Sequence, residues 1–134
     1  MKCQITSKDY MLLERHLTRP DLVQAISSLA LALIRAKLSD AQLVMPDDIS
    51  PDIATGSSRI AFSIDGRPEE TRVLLHSESH VTTGLGLSVT SLLGATLLGL
   101  RSGQEVPLLR ADGRLGRVAL HRVAYQPEAQ HEDE

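Results

Sequence analysis

The spacing of apolar residues changes near the middle of this 134-residue chain, and that change limits the folds open to it. Before Met45, apolar residues recur every three or four positions, as they do on helices that bury one face. Beyond Ser58, residues 58–64 and 71–77 alternate apolar and polar side chains, which is typical of half-buried strands. The sequence therefore predicts an α+β chain in which a helical part precedes a sheet.

The helical part is predicted to be a short antiparallel hairpin, or coiled coil, within residues 1–44. Its first arm covers residues 6–18, with Thr6 or Ser7 as the N-cap and Asp9 in the first turn, where the helix dipole favours an acid. Pro20 then removes a backbone donor and ends this helix. We expect the two arms to be joined at a tip around this proline.

The second arm is predicted as one helix over residues 21–40, with Asp21 as its N-cap. At the usual helical rise this arm is about 30 Å long and the first is about 18 Å long. The predicted seam facing the first arm consists of apolar residues at helical spacing, namely Leu22, Ile26, Leu29, Leu33 and Ala36.

The rest of the chain is predicted to be a small, mainly antiparallel sheet with one short helix. Residues 45–58, with two prolines and several acidic and serine residues, are interpreted as a linker, and residues 59–127 as the domain. Three more strands are expected at 85–89, 105–109 and 115–126. A helix is expected at 92–98, closed by a left-handed Gly99, and residues 128–134 are expected to be a disordered acidic tail.

Composition excludes several classes of function. The formal net charge is −3, with +2 on residues 1–45 and −5 on the remainder, so we expect no direct sequence-specific nucleic-acid binding and no membrane partner. The apolar run 26–34 is shorter than the roughly 20 residues that span a bilayer, and the one cysteine, Cys3, fits a reducing compartment. The expected location is therefore the cytoplasm.

Residues that could carry chemistry are few. His76, Glu78 and His80 could ligate a metal only if their segment curled, because residues four apart on a strand are about 13 Å apart. We therefore interpret the two histidines as solvated strand-end residues. The motif at Gly84–Gly86 lacks the lysine of a phosphate loop, and no G-x-S-x-G elbow surrounds Ser88 or Ser91. We expect no catalytic residue, no metal and no cofactor.

Three separated segments resemble a known family. The run "TSLLGATLLGLRSGQEV" at 90–106 resembles S-P-L-G-x-A-L-L-G-x-x-x-G-D-E-V of the Gre transcript-cleavage factors. The segment "LVMPDDISPDIATGSSRIAFS" and the ending "VAYQPEA" resemble the shorter relatives of those factors, the regulators of nucleoside diphosphate kinase. The resemblance covers about residues 5–129.

This resemblance implies an FKBP-like C-terminal domain that docks on RNA polymerase at the rim of its secondary channel, with the hairpin pointing into the channel. The residues that match the docking motif are Ser91, Leu92, Leu93, Gly94 and Leu97. The hairpin tip corresponds to Arg19 and Asp21. Leu92 stands where the family has proline, and Gln104 stands where it has aspartate.

The tip also departs from the Gre pattern. Gre factors carry two acids at the tip of a longer coiled coil, and these help hold a metal ion that hydrolyses backtracked RNA. Here Asp21 is the only acid, beside Arg19, and hard cations require several oxygen ligands. The resemblance therefore implies a non-enzymatic regulator that competes with Gre-type factors, does not stimulate cleavage, and affects nucleoside diphosphate kinase indirectly.

Two alternatives remain open at this level. The apolar second helix, with "LALALI" at 29–34, covers more than one face and could form a homodimer or bind a partner other than polymerase. An FKBP-like fold alone suggests a prolyl isomerase, but fold is a weak indication of activity. Such enzymes line their pocket with aromatic rings, and the predicted domain has only Phe62 and Tyr125.

Overall fold

The computed structural model describes residues 3–76, 85–110 and 112–129. The helices lie at α1 Ser7–Thr18, α2 Pro20–Ala25, α3 Ser28–Asp40 and α4 Leu92–Leu97. The strands lie at β1 Gln4–Thr6, β2 Gln42–Val44, β3 Arg59–Ile64, β4 Glu70–Leu75, β5 Gly86–Ser88, β6 Glu105–Leu109 and β7 Leu115–Tyr125. The predicted α+β class and the order of helical part and sheet are confirmed.

The main sheet has five strands in the order β5-β4-β3-β7-β6. Its central pairs are antiparallel, as predicted, and β5 joins β4 in parallel at one edge. The long β7 pairs with both β3 and β6, with register shifts against β3 at Arg59/Ile60 and Ala61/Phe62. The sheet is therefore mixed, with a parallel edge.

The core lies between this sheet, α4 and the helical part. Phe62, Leu74 and Leu120 from three strands are fully buried there beside Leu97 of α4 and its C-cap residue Leu98. The predicted left-handed position after α4 is confirmed, because Gly99 has φ +89°. A side chain at Gly99 would also approach the Gln4 carbonyl oxygen at 2.9 Å, so this position requires glycine for space as well as for conformation.

The second arm of the hairpin is broken, and the prediction of one helix over 21–40 is wrong. Ile26 and Ser27 are extended, with ψ of 133° and 151°, and they separate α2 from α3. The Ser27 hydroxyl accepts a hydrogen bond from the Ala30 N–H at 3.1 Å, so it starts α3 as a new N-cap. The Ser27 side chain takes the Ala30 N–H as its own hydrogen-bond partner, so α3 starts here as a separate helix after α2.

The predicted seam of the second arm is also largely wrong. α3 buries Ala30 and Ile34, whereas Leu29 and Ala36 are exposed, and the side chain of Leu22 lies outside the described part. Ile26 and Leu33 are only partly buried, against the core. The reason is that α3 packs on α4, while an open groove of about 310 Å³ lies between α1 and α3.

The segment interpreted as a linker is part of the body. Ile49, Ile53 and Ala54 within it are buried, and Ile53 forms an isolated bridge with Arg101. Sequence patterns also missed the parallel pair β1 and β2, which closes the base of the hairpin. Residues 45–58 therefore pack on the sheet domain, since their isoleucines fill its end.

Two residues of the predicted disordered tail, 128 and 129, are ordered, so the prediction is wrong for them. Residues 127–129 form one 3-10 turn, and Glu128 accepts a hydrogen bond from the Thr55 hydroxyl at 2.8 Å. Residues 130–134 of the predicted tail lie outside the described residues. In the parts of the chain that the structure describes, every helix is too short or too polar to cross a bilayer.

Candidate functional site

The segment that leads into α4 is shaped by a serine cap. The Ser91 hydroxyl accepts a hydrogen bond from the Gly94 N–H at 3.0 Å and donates one to the Ser88 carbonyl at 2.7 Å. Ser91 is thus the N-cap of α4 and also ties the helix to the end of β5. The position where the Gre motif has proline, Leu92, is the first residue of the helix, a position that proline suits.

The five residues predicted to dock divide into support and surface. Gly94 is buried, and a Cβ there would lie 1.9 Å from the Ser88 carbonyl oxygen, so its role is to allow close approach. Leu97 is completely buried and contributes to the core rather than to the surface. Leu92 and Leu93 are half-buried and, together with Ser91, are the part of the motif that reaches solvent. We call Ser91, Leu92 and Leu93 the docking edge, after the role predicted for them from the sequence.

The hairpin tip is formed by Arg19, Pro20 and Asp21. Arg19 is the N-cap residue of α2 and Pro20 is its first residue, so the prediction of Asp21 as N-cap is wrong. No side chain caps this helix within residues 3–76. Asp21 instead pairs with the Arg19 guanidinium at 3.3 Å, and both side chains are well exposed. The structure keeps Arg19 and Asp21 together at the tip.

A lysine from α3 closes the other end of α4. The Lys37 ammonium group donates hydrogen bonds to the carbonyl oxygens of Ala95, Thr96 (3.0 Å) and Leu98 (2.6 Å). Burial lowers the pKa of Lys37 to about 8, because desolvation disfavours the charged form. Sequence reasoning missed this residue, because a lysine near the end of a helix is usually solvated and no local pattern distinguishes Lys37.

A buried aspartate fastens α1 to the sheet domain. The Asp9 carboxylate pairs with His76 Nε2 at 2.9 Å and accepts a hydrogen bond from the Gly56 N–H at 3.0 Å. The side chain of His76 is only 13% exposed, so its interpretation as a solvated residue is wrong. The predicted N-cap is confirmed, because the Thr6 hydroxyl accepts a hydrogen bond from the Asp9 N–H at 3.0 Å.

A second histidine completes this cluster. The His16 ring stacks on His76 with centroids 5.6 Å apart, and its pKa is lowered by burial, then by His76 and Arg19. In the described ranges, neither His16 Nε2 nor His76 Nδ1 has a hydrogen-bond partner, although both atoms are buried. Glu78 and His80, considered as metal ligands, lie outside the described residues. No group of three potential metal ligands occurs in the described part of the chain.

Comparison with curated proteins identifies the family. The regulator of nucleoside diphosphate kinase of Escherichia coli (strain K12) is 30% identical over 97 residues, which cover 72% of this chain and 71% of that protein. The protein of the same name from Shigella flexneri matches equally well. The chain belongs to this family.

A transcription elongation factor of known structure shares this fold. A solved structure, the prokaryotic transcription elongation factor GreA/GreB from Nitrosomonas europaea, is 28% identical and has a TM-score of 0.68. The match covers 93% of this chain and 99% of that one. No family model matches the sequence. The family resemblance is therefore confirmed, and the relatives are named as regulators and transcription factors rather than as enzymes.

Proposed function

We propose that this family member is a non-enzymatic transcription regulator that binds RNA polymerase at the rim of the secondary channel. It competes there with Gre-type factors and affects nucleoside diphosphate kinase indirectly. The observation that supports this most is the docking edge, in which two half-buried leucines stand on a serine-capped helix start. The likeness to a GreA/GreB elongation factor supports the class of partner.

The geometry of the docking edge suits protein binding. Leu92 and Leu93 present apolar area without exposing it fully, and Ser91 and Gly94 hold them in place through hydrogen bonds to β5 and α4. A preformed apolar edge loses little conformational entropy when a partner covers it. The docking role is therefore assigned to Leu92 and Leu93, with Ser91, Gly94 and Leu97 as their support.

Stimulation of transcript cleavage is not part of the proposal. Asp21 is the one acid among tip residues 19–21, and its carboxylate is already paired with Arg19. A divalent cation prefers six or more oxygen ligands, often from several carboxylates, so one paired acid offers little to hold it. The tip thus supports a factor that occupies the channel without assisting hydrolysis.

Retention of polymerase by the tagged full chain tests the docking proposal. Wild type is expected to retain purified RNA polymerase, and Leu92→Asp with Leu93→Asp is expected to lose it, because a charge on a covered apolar edge must be desolvated. Leu92→Asp alone serves if the double variant unfolds, since Leu93 also packs on the core. Leu115→Asp is the matched control, because Leu115 is 71% exposed in a distant strand. Loss of binding in the control, or retention by a folded Leu92 variant, contradicts the proposal.

A second assay tests competition. Backtracked elongation complexes are incubated with a Gre factor and increasing amounts of this protein, and cleaved RNA is measured. The proposal expects cleavage to fall with wild type, to be unchanged with the Leu92 variant, and not to be stimulated by wild type alone. Cleavage that rises without a Gre factor shows that the role assigned to the tip is wrong.

A homodimer through α3 remains a second candidate. Leu29, Ala32 and Ala36 are exposed on this helix, so part of its apolar surface is left uncovered by α4. Light scattering over a range of concentrations decides the question, because a homodimer gives twice the monomer mass or a mass that rises towards it with concentration. A constant monomer mass excludes it.

A further inference from the structure

The helical arm and the docking edge are joined at one helix. α3 belongs to the hairpin, yet it packs directly on α4, whose first residues form the docking edge. The contact ends at Lys37, which lies in the last turn of α3 and reaches the last carbonyls of α4. Lys37 therefore connects the hairpin to the helix that carries the docking edge.

The hydrogen bonds of Lys37 specify one geometry. An ammonium group has three N–H donors, and three carbonyl oxygens, those of Ala95, Thr96 and Leu98, accept from it. The last carbonyls of a helix have no partners within that helix and carry its partial negative charge. The side chain therefore fills all three donor positions, and sliding α3 along α4 breaks at least one bond.

Burial of this charge carries a cost that favours a specific role over simple packing. Desolvation lowers the pKa of Lys37, and the nearby Cys3 thiol opposes that effect only in part. An apolar residue of similar length would avoid the desolvation and often stabilises a fold as well or better. Buried polar groups of this kind add geometric specificity in some proteins, as they do in coiled coils that select one register.

We propose that Lys37 is a positioning residue that fixes the direction of the hairpin tip relative to the docking edge. This inference rests on the proposed function for its biological meaning, because it concerns how the tip is presented once the docking edge is bound. The competing explanation is that Lys37 only caps α4, in which case its loss changes stability but not the tip direction.

Distance measurements on the free protein separate these explanations. Spin labels are placed at Gln24→Cys in α2 and Leu115→Cys in β7, both exposed, in a Cys3→Ser background. Lys37→Met keeps the unbranched chain up to the ε position and removes the ammonium group. The expected result is a distance distribution about twice as wide in Lys37→Met, since one geometry is no longer specified. Arg35→Met is the matched control on the same helix, at an exposed position, and is expected to keep the wild-type width.

A pH titration of the doubly labelled protein with Lys37 intact provides the test even if Lys37→Met does not fold. The neutral amine has two donors for three carbonyls, so the distribution is expected to broaden as Lys37 loses its proton. The midpoint is expected at or below about pH 8, because Cys3, which raises the pKa of Lys37, is replaced in this background. Two kinds of group lie beside the Lys37 ammonium group: Cys3, which is serine in this background, and the uncharged carbonyls at the end of α4. Equal widths across the titration, or equal widths in Lys37→Met and Arg35→Met, overturn the proposal.

Polymerase binding gives an independent result. If the hairpin must be preoriented, Lys37→Met is expected to bind polymerase about tenfold more weakly than Arg35→Met. The reason is that the variant loses conformational entropy when binding orders its hairpin. If wild type does not bind polymerase at all, the proposed function fails while the distance result still decides the positioning role. If the widths are equal but polymerase binds, the positioning role alone is wrong.

Discussion

Ser88 and Gly94 show how closely single residues determine the docking edge. The Ser88 carbonyl accepts a hydrogen bond from Ser91 and also occupies the space where a Cβ of residue 94 would lie. The first turn of α4 can approach β5 only because position 94 carries no side chain. The glycine of the motif therefore has a physical role independent of any partner.

Gly94→Ala is expected to destabilise the protein by roughly 3 kcal/mol, because the new Cβ must displace backbone at 1.9 Å. Urea denaturation measures the change in the free energy of unfolding. Gly103→Ala is the comparison, since it meets no neighbour and costs only about 1 kcal/mol for its left-handed backbone. Equal losses in the two variants would show that close approach at Gly94 is unimportant.

His16 is expected to make stability depend on pH. Its folded-state pKa is below the 6.5 of the unfolded chain, so the unfolded state binds more protons as pH falls through 6.5. The free energy of unfolding should therefore decrease from about pH 7.5 to about pH 5.5, with His76 and Arg19 adding repulsion. Denaturation curves at the two pH values measure this decrease.

Two substitutions identify the residue responsible for that decrease. His16→Gln removes the titrating ring and should reduce the loss of stability on acidification. His121→Gln replaces an exposed histidine of β7 that contacts Ser63 and should leave the loss unchanged. An undiminished loss in His16→Gln assigns the pH dependence elsewhere.

At the scale of elements, the division of the second arm is decided by Ser27. The residues on both sides favour helix, and the extended pair Ile26 and Ser27 interrupts it. The cap hydrogen bond to Ala30 stabilises the start of α3, and the break lets α3 turn its Ala30 and Ile34 face toward α4 and the core. A continuous helix could not follow both directions.

Ser27→Ala is therefore expected to cost about 1 kcal/mol, while Ser27→Asp retains most of the stability because aspartate is an equally good cap. Thermal unfolding followed by circular dichroism measures both variants. Ser28→Ala, one residue later and exposed, provides the comparison and should change stability by less than about 0.5 kcal/mol. A Ser27→Ala variant as stable as wild type would falsify the capping role.

At the scale of the whole molecule, the hairpin is attached to the sheet domain at two polar points. Asp9 of α1 contacts His76 at the end of β4 and Gly56 before β3, and Lys37 of α3 contacts the end of α4. The apolar contacts of Leu13 and Ile34 with the core lie between them. Hairpin and sheet therefore form one packed body in the described residues.

Asp9→Ala is expected to loosen α1 from that body, because it leaves the Gly56 N–H and His76 Nε2 without their carboxylate partner. The loss should be about 2 kcal/mol. Hydrogen exchange should show faster exchange throughout α1 but little change in β7. Lys8→Ala, exposed and adjacent, is the control, and uniform acceleration over the whole chain would indicate global destabilisation instead.

Much of the sheet domain follows from local sequence. Alternation located β3 and β4, and Gly99 located the end of α4, because strand period and helix termination are local effects. The left-handed φ of Gly99 is of the same kind. These features could be read because each depends on a few neighbouring residues.

Contacts between distant segments were decided only in the tertiary structure. Asp9 with His76 and Lys37 with α4 join residues 67 and about 60 positions apart, and the pairing of β1 with β2 closes a loop around the hairpin. The sequence analysis predicted the wrong buried face for α3, because apolar residues lie on more than one face of that helix. Only the position of α4 selects the face that is buried. The sequence by itself therefore determined the family and the order of the helical part and the sheet. Long-range packing decided which polar groups are buried, since burial depends on neighbours that local patterns do not specify.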